Sequence, residues 1–361
     1  MSVTLKEIAN RTGVSPMTIS RALRGIGSVK IATRKRVLQV AEEMGHFRSK
    51  GVVFPPPVRQ GHTDHHLKLL LPYYRGNLLL PDQRLLTGLK QRLDETGGLL
   101  HFAPFRSLDD IITEARRHHV HGIVLRQILP ADYLEKLVSN YPVVYAATDD
   151  FQAGVDSVST NENRCAAQIL NHLTLRGHRD IAFYGIADTQ SAIPSREESL
   201  GAFALVDSSI QGARCAAWNY LAQTHACSHP LSVQVDRRDP RFQSLDDTAR
   251  LGLRQLLVTR PQPTALVVAT DSTAAAVVRG LREHGLRIPD DMSVISYGGT
   301  NEGRRQDPPI TSLRLPLEQI GHTVPELVER RLAQPSAVPV TVLLEATLLE
   351  GGTVTPPQRQ L

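Results

Sequence analysis

The chain has 361 residues, with 41 Lys+Arg against 36 Asp+Glu and a formal net charge of +5. That charge is unevenly spread: residues 1–50 hold ten basic and three acidic side chains, or +7, while the other 311 carry −2, the pattern of a polyanion-binding module fused to a near-neutral body. At 41% hydrophobic and 21% charged the composition is globular, no apolar run reaches the ~18–20 residues of a membrane span, and Lys6 and Glu7 stand where a signal peptide would need its apolar core. Cys165, Cys215 and Cys227 are odd in number with no metal or redox spacing, and read as reduced thiols of a cytosolic protein.

The first predicted element is a short helix over Thr4–Thr12. Thr4 caps it, Glu7 takes the third helical position, and Leu5, Ile8 and Ala9 share a face. Gly13 stops it. Ser15-Pro16 then starts a second helix, Pro16–Leu23, because serine accepts a backbone N–H and proline suits the first helical position. Ile19 and Leu23 point to one side, and Met17, Ser20, Arg21 and Arg24 to the other. A third helix over 32–44 carries Val37, Val40, Ala41 and Met44 on its apolar stripe and ends at Gly45. Two short helices joined by a tight glycine-containing turn, the second polar and basic, form a helix-turn-helix. The alternative is a small three-helix bundle with solvated charges; the +7 charge and the bare hydroxyls of Ser15, Thr18 and Ser20 favour nucleic acid.

The blocks Thr4-Leu5-Lys6-Glu7-Ile8-Ala9, Gly13 to Leu23, Thr33-Arg34-Lys35-Arg36-Val37 and Glu43-Met44-Gly45 resemble the head of the lac repressor (LacI/GalR) family. The resemblance implies that Pro16, Met17 and Arg21 face bases, while Ser15, Thr18, Ser20, Arg24 and Thr33 hold phosphates. Thr4 and Lys30 complete the expected DNA-contacting set. Lys30 stands where the family has a small hydroxyl cap, and trades that cap for a phosphate contact.

The segment after the head departs from the family. Its hinge-helix signature, Tyr-x-Pro-Asn followed by Ala-x-x-Leu, is replaced by His46 to Phe54 and then Pro55-Pro56-Pro57, which favours polyproline II and cannot lie inside a helix. Two readings stand: a plain linker, or a single hinge turn whose Val52, Val53 or Phe54 wedges into DNA. His62, Asp64, His65 and His66 invite a metal, but a linker offers neither scaffold nor supporting shell. Arg116 to His121 reads as a helix end whose cations suit its carbonyls.

From Leu67 onward apolar runs alternate with helical patterns. Strands are predicted at Leu67–Leu71, Gly98–Phe102, Gly122–Leu125, Val143–Ala147, Ile181–Gly185, Ala265–Thr270 and Ser293–Tyr297. Helices are predicted near 82–95, 108–119, 130–139, 161–176, 196–206, 244–257 and 271–285. This alternation argues for parallel sheets with helices on both faces, and the length for two α/β lobes. Tyr141 to Val144, His172-Leu173 with Gly177 to Phe183, Gly285 to Tyr297 and Pro308 to Ser312 resemble recurring signposts of the same family's two-lobed, periplasmic-binding-protein-like effector domain. The expected organisation is a head over 1–50, a Pro-rich linker over 51–66 and a two-lobed body over 67–357. Lobe one is expected at about 67–176 and 309–335, lobe two at about 177–308 and 336–357.

Ligands of such bodies bind between the lobes, at the C-terminal ends of strands, and there the chain departs from the family again. The family's lobe-two arginine reads as Glu198 within Ser195-Arg196-Glu197-Glu198. Its Asn-Asp reads as Thr270-Asp271, its acid after Tyr297 as Gly298-Gly299, and the polar side chain the family has near Leu315 is missing. Three readings remain: a different, donor-rich ligand, a sugar bound by other residues, or a pocket with no effector. The effector candidates are Tyr73, Asn77, Glu198, Trp218 and Asp271. Against each stands a structural role: a loop aromatic for Tyr73, a solvated surface for Glu198, core packing for Trp218 and a helix cap for Asp271.

The function expected is a DNA-binding transcription regulator, a repressor acting as a homodimer on a pseudo-palindromic operator, cytoplasmic and nucleoid-associated, and controlled by a small carbohydrate-like or other metabolite in the inter-lobe cleft. The alternative is a ligand-independent regulator whose body only dimerises. An enzyme is disfavoured by the lack of a nucleophile elbow, a phosphate loop or a zinc-binding His-Glu-x-x-His, and no cofactor or membrane is implied. A solute-binding protein would share the body but not need the head.

Overall fold

The computed structural model describes residues 4–19, 33, 36–37, 40, 44, 66–74, 83–105, 107–126, 129–148, 154–187, 206–224, 231–236, 244–259 and 261–358. Contacts divide the chain into Met1–His65 with Glu135–Tyr141, and His66–Leu134 with Pro142–Leu361.

In the head, α1 (Leu5–Thr12) begins with a capping box in which the Thr4 amide donates to Glu7 Oε2 at 2.7 Å and the Glu7 amide to Thr4 Oγ1 at 3.4 Å. The Thr4 amide, and next to it the Thr4 hydroxyl, both donating to it, pull the Glu7 carboxyl below its ordinary range. Gly13, at φ 72°, closes the helix in the left-handed conformation that costs glycine little. Residues 16–19 are helical again. Ile8, Ala9, Ile19 and Val37 form the buried centre, with Leu5, Val14, Val40 and Met44 packed around it.

The body contains two six-stranded sheets. The first takes β1 (Lys68–Tyr74), β2 (Leu99–Phe105), β3 (Gly122–Leu125), β4 (Val143–Ala146), β5 (Asp156–Thr160) and β11 (Thr341–Leu344) in the order β11-β5-β4-β3-β1-β2, all parallel. The second takes β6 (Ile181–Ala187), β7 (Leu231–Asp236), β8 (Ala265–Val268), β9 (Ser293–Gly298), β10 (Thr311–Arg314) and β12 (Thr347–Leu349) in the order β12-β10-β9-β8-β6-β7; only the β10–β12 pair is antiparallel. Their helices are α2 (Gln83–Glu95), α3 (Leu108–Arg117), α4 (Ala131–Val138), α5 (Glu162–Leu175), α6 (Val206–Thr224), α7 (Leu245–Val258), α8 (Asp271–Glu283), α9 (Asn301–Arg304) and α10 (Leu317–Ala333). Strands β3 and β8 are buried along their whole length, as expected where crossover helices cover both faces of a parallel sheet.

The chain passes between sheets three times, after Thr160, after Arg314 and after Leu344. Each crossing follows the C-terminal end of a strand, and Arg84 of the first lobe meets Gly298 at the C-terminal end of β9 in the second. This corrects the expected lobe limits in two places. Strand β10, expected in lobe one within 309–335, pairs with β9 in the second sheet, and β11, expected in lobe two, pairs with β5 in the first. Helix α10 does pack in lobe one, its Gly321 meeting α2 so closely that an added Cβ would overlap the Leu85 carbonyl.

Several elements were absent from the sequence reading. Strand β5 is Asp-Ser-Val-Ser-Thr, polar yet wholly buried. Its Asp156 accepts bonds from Arg331 Nε at 2.8 Å, Arg330 Nη1 at 3.3 Å and the Val340 amide at 2.8 Å. Helix α10 contains Pro325, which interrupts helical periodicity in sequence. The helix expected at 196–206 lies almost wholly outside the described residues; α6 follows from Val206.

A helix-turn-helix head and an inter-lobe cleft

The second helix of the head opens on Ser15, whose Oγ accepts the Thr18 amide at 3.2 Å and lies 2.8 Å from the Thr18 hydroxyl. Ser15, Pro16 and Met17 are exposed, Met17 at 65%, while Ile19 beneath them is fully buried. A large apolar side chain left in water at the start of a polar helix suits a base-facing position. Thr33 is half-buried. Thr4 is exposed, but its hydroxyl donates to Glu7 Oε2 at 3.0 Å, so the side chain serves the capping box. Ser20, Arg21, Arg24 and Lys30 lie outside the described residues, as do residues 46–65, including the prolines and the proposed wedge.

In the body the strand ends of the second sheet converge on one buried guanidinium. Arg214 of α6 is 5% exposed. Its Nη1 donates to the Ala269 carbonyl at 2.7 Å, its Nε pairs with Glu162 Oε2 at 3.3 Å, and its guanidinium lies 4.8 Å from the centre of the Tyr297 ring. Glu162 is the first residue of α5, just past the first crossing, and its Oε1 accepts from Thr160 Oγ1 at 2.9 Å. A charge pair so little exposed holds its geometry only if its remaining donors and acceptors are met, and here a carbonyl, a hydroxyl and an aromatic face meet them.

Glu198, expected where the family has an arginine, lies outside the described residues. The guanidinium at the strand ends is that of Arg214, one helical turn before Trp218. Its sequence context is an arginine among small residues, Ala213-Arg214-Cys215-Ala216-Ala217, a pattern that carries no ligand motif.

Two other effector candidates have structural work instead. Trp218 is fully buried, its ring centre 6.2 Å from that of Phe183, so it belongs to the core. Asp271 is 1% exposed. Its Oδ1 accepts from the hydroxyls of Ser296 and Ser312, the latter at 2.6 Å, and its Oδ2 from the Thr300 amide at 2.5 Å and hydroxyl at 2.8 Å. The cap of α8 is Thr270, not Asp271; Asp271 ties the end of β9 to β10 and to the loop at 299–300. Tyr73 stands near the C-terminal end of β1, half-buried, stacked 4.3 Å from Phe102. Asn77 lies outside the described residues. Leu315 is buried. Arg116 and Arg117 close the last turn of α3, as a helix end requires.

Opposite the Arg214 site, Arg84 at the start of α2 reaches across from lobe one and donates Nη1 to the Gly298 carbonyl at 3.0 Å. The cleft thus has a guanidinium from each lobe beside successive residues, Tyr297 and Gly298, at the end of β9.

A helix-turn-helix head and a body of two largely parallel sheets linked by three crossings define a DNA-binding transcriptional regulator with a periplasmic-binding-protein-like body. Residues 4–49 match the model of the bacterial regulatory proteins of the lacI family, and residues 170–354 that of the periplasmic binding protein-like domain. The chain belongs to the lacI family. It is 22% identical to the HTH-type transcriptional regulator GntR of Escherichia coli K12, over 97% of this chain and 98% of that one. Among solved structures it is similar to the lac repressor dimer bound to operator and the anti-inducer ONPF, with a TM-score of 0.63, 22% identity and coverage of 98% and 100%. It is also similar to the regulator CelR in complex with cellobiose, with a TM-score of 0.59, 23% identity and coverage of 98% and 100%. Among the described residues no helix is long and apolar enough to cross a membrane.

Proposed function

We propose that the protein represses transcription as a homodimer on a pseudo-palindromic operator, under the control of a small oxygen-rich metabolite held between its lobes. The observation that carries the DNA reading is the exposed Ser15-Pro16-Met17 face set over the buried Ile8, Ile19 and Val37. One α-helix fills a major groove, and residues at its N-terminal end reach the base edges. In this reading Pro16, Met17 and Arg21 face bases. Ser15, Thr18, Ser20, Arg24, Lys30 and Thr33 hold phosphates, and Thr4 sets the start of the first helix. Residues 1–50 form the head, 51–66 the linker and 67–357 the body. The protein works in the cytoplasm, on the nucleoid.

Dimerisation follows from surface and symmetry. A single small head contributes about 600–1,000 Å² of interface, and two-fold pairing doubles it. Strand β2 ends the first sheet and leaves Leu99 half exposed and Phe102 39% exposed, an edge that a second copy would cover. The lac repressor similar to this chain binds its operator as a dimer.

The effector reading rests on the two-lobed body, where half-buried Tyr73 at the end of β1 offers an aromatic face and a phenol to a ligand, while Arg214, committed to Glu162 and the Ala269 carbonyl, holds the strand ends in place. Cellobiose occupies the related CelR structure, and a hydroxyl-rich ligand fits the same chemistry here.

Selection of bound duplexes from a random pool tests the DNA reading. The expected product is an inverted repeat with half-sites one helical turn apart, bound by the full chain and not by residues 61–361. Equal binding by the shortened chain contradicts it.

A further inference from the structure

We propose that Arg84 is a built-in latch that holds the two lobes together without any ligand; the inference rests on reading the cleft as the regulatory site. Arg84 and Gly298 lie 214 residues apart, on different lobes, and meet in a part-buried hydrogen bond of 3.0 Å. A charged donor on a carbonyl is among the stronger protein hydrogen bonds, and partial exclusion of water strengthens it further.

The acceptor is prepared on the lobe-two side. Gly298 has φ 136° and Gly299 φ 65°, both in the region that favours glycine. A Cβ at Gly298 would come within 2.9 Å of Asp271 Oδ2, and one at Gly299 within 2.5 Å of Arg314 Cβ. The turn is then pinned: the Gly299 amide donates to Ser312 Oγ at 2.9 Å, and the Thr300 amide to Asp271 Oδ2 at 2.5 Å. With its neighbouring amides fixed, the Gly298 carbonyl, which also takes the Leu315 amide at 3.5 Å, is held within reach of Arg84. Asp271 and the glycine pair thereby gain a purpose that effector binding does not give them: they build a rigid strike plate for an arginine on the other lobe.

A body whose lobes are bridged from within starts from a closed population, and any effector acts by shifting that population. Losing one charge-assisted bond should move the closed-to-open ratio by about ten-fold.

The test uses the full chain with Arg84→Ala, Arg84→Lys and Gly298→Ala, and exposed Thr87→Ala on the same helix as control. Small-angle scattering without DNA or small molecule reads the opening, and thermal melting checks that each variant is folded. The latch predicts a larger radius of gyration for Arg84→Ala and Gly298→Ala, a value near the parent's for Arg84→Lys, and no change for Thr87→Ala. Folded Arg84→Ala with scattering identical to the parent overturns it. Affinity for the selected operator is measured in parallel. Opening accompanied by a change in operator affinity supports both readings, while opening with unchanged affinity keeps the latch and contradicts the cleft as regulatory site.

Discussion

Glu162 and Arg214 form an ion pair, Oε2 to Nε 3.3 Å, in which both side chains are less than a tenth exposed. Glu162 belongs to the helix that receives the first crossing between lobes, so the pair fixes Arg214 relative to that crossing. Removing one partner leaves a buried charge uncompensated. Glu162→Ala should cost about 3–5 kcal/mol and Arg214→Ala a similar amount, whereas Glu162→Ala with Arg214→Met should recover much of the loss. Urea unfolding of the three variants measures this; additive single losses in the double variant would contradict it.

The contact between α2 and α10 depends on two glycines. A Cβ at Gly88 would overlap the Glu318 carbonyl, and one at Gly321 the Leu85 carbonyl. Backbone cannot yield as a flexible side chain does, so Gly321→Ala should destabilise by roughly 1–3 kcal/mol. Gly212 in α6 has nothing within 4 Å of its added Cβ. Gly212→Ala should therefore stabilise by about 0.5–1 kcal/mol. Denaturation midpoints of opposite sign are the expected result.

Much of this fold was legible because burial was apolar. The runs Gly122–Leu125 and Val143–Ala147 became central strands, and helices near 83–95, 162–175 and 271–283 followed from alternation. Strand β5 was illegible because its burial is polar, met by Arg330, Arg331 and the hydroxyl of Thr341. Helix α10 was hidden by Pro325. In the site, Asp271 was visible as a residue but not as a role: its four hydrogen bonds come from residues 25 to 41 positions away, which no local pattern encodes. Arg214 was not legible because its partners, Glu162 and the Ala269 carbonyl, lie 52 and 55 positions away.

Stability should fall on mild acidification. Burial, and next to it Arg176, lowers the pKa of His172; burial lowers that of His178, whose ring nitrogens lie 2.9 Å from Thr264 Oγ1 and 2.8 Å from the Thr355 carbonyl. An imidazole held low stays neutral in the fold while the unfolded chain takes up a proton. Stability is therefore whole above about pH 6.5 and declines as pH drops toward the folded-state value. Melting curves from pH 7.5 to 5.0 should show that decline, shallower in His178→Gln. A slope unchanged by the substitution would remove His178 from the account.

Disrupting the capping box should loosen the head without touching the body. Thr4→Ala removes the Oγ1 acceptor of the Glu7 amide and should cost about 1 kcal/mol. Because the chain divides between head and body, hydrogen exchange should speed up over residues 5–12 and stay unchanged over 265–298. Uniform acceleration would contradict separate units.

The central claim is that the second helix of the head reads bases while flanking cations only hold phosphates. Titrating the selected operator and a scrambled duplex with the parent, Arg21→Ala and Lys30→Ala, across salt concentrations, tests it most directly. Arg21→Ala should lose roughly 1–3 kcal/mol on the operator and little on scrambled DNA, while Lys30→Ala should weaken both alike and flatten the salt slope by about one. Equal losses for both variants on both duplexes would contradict the claim.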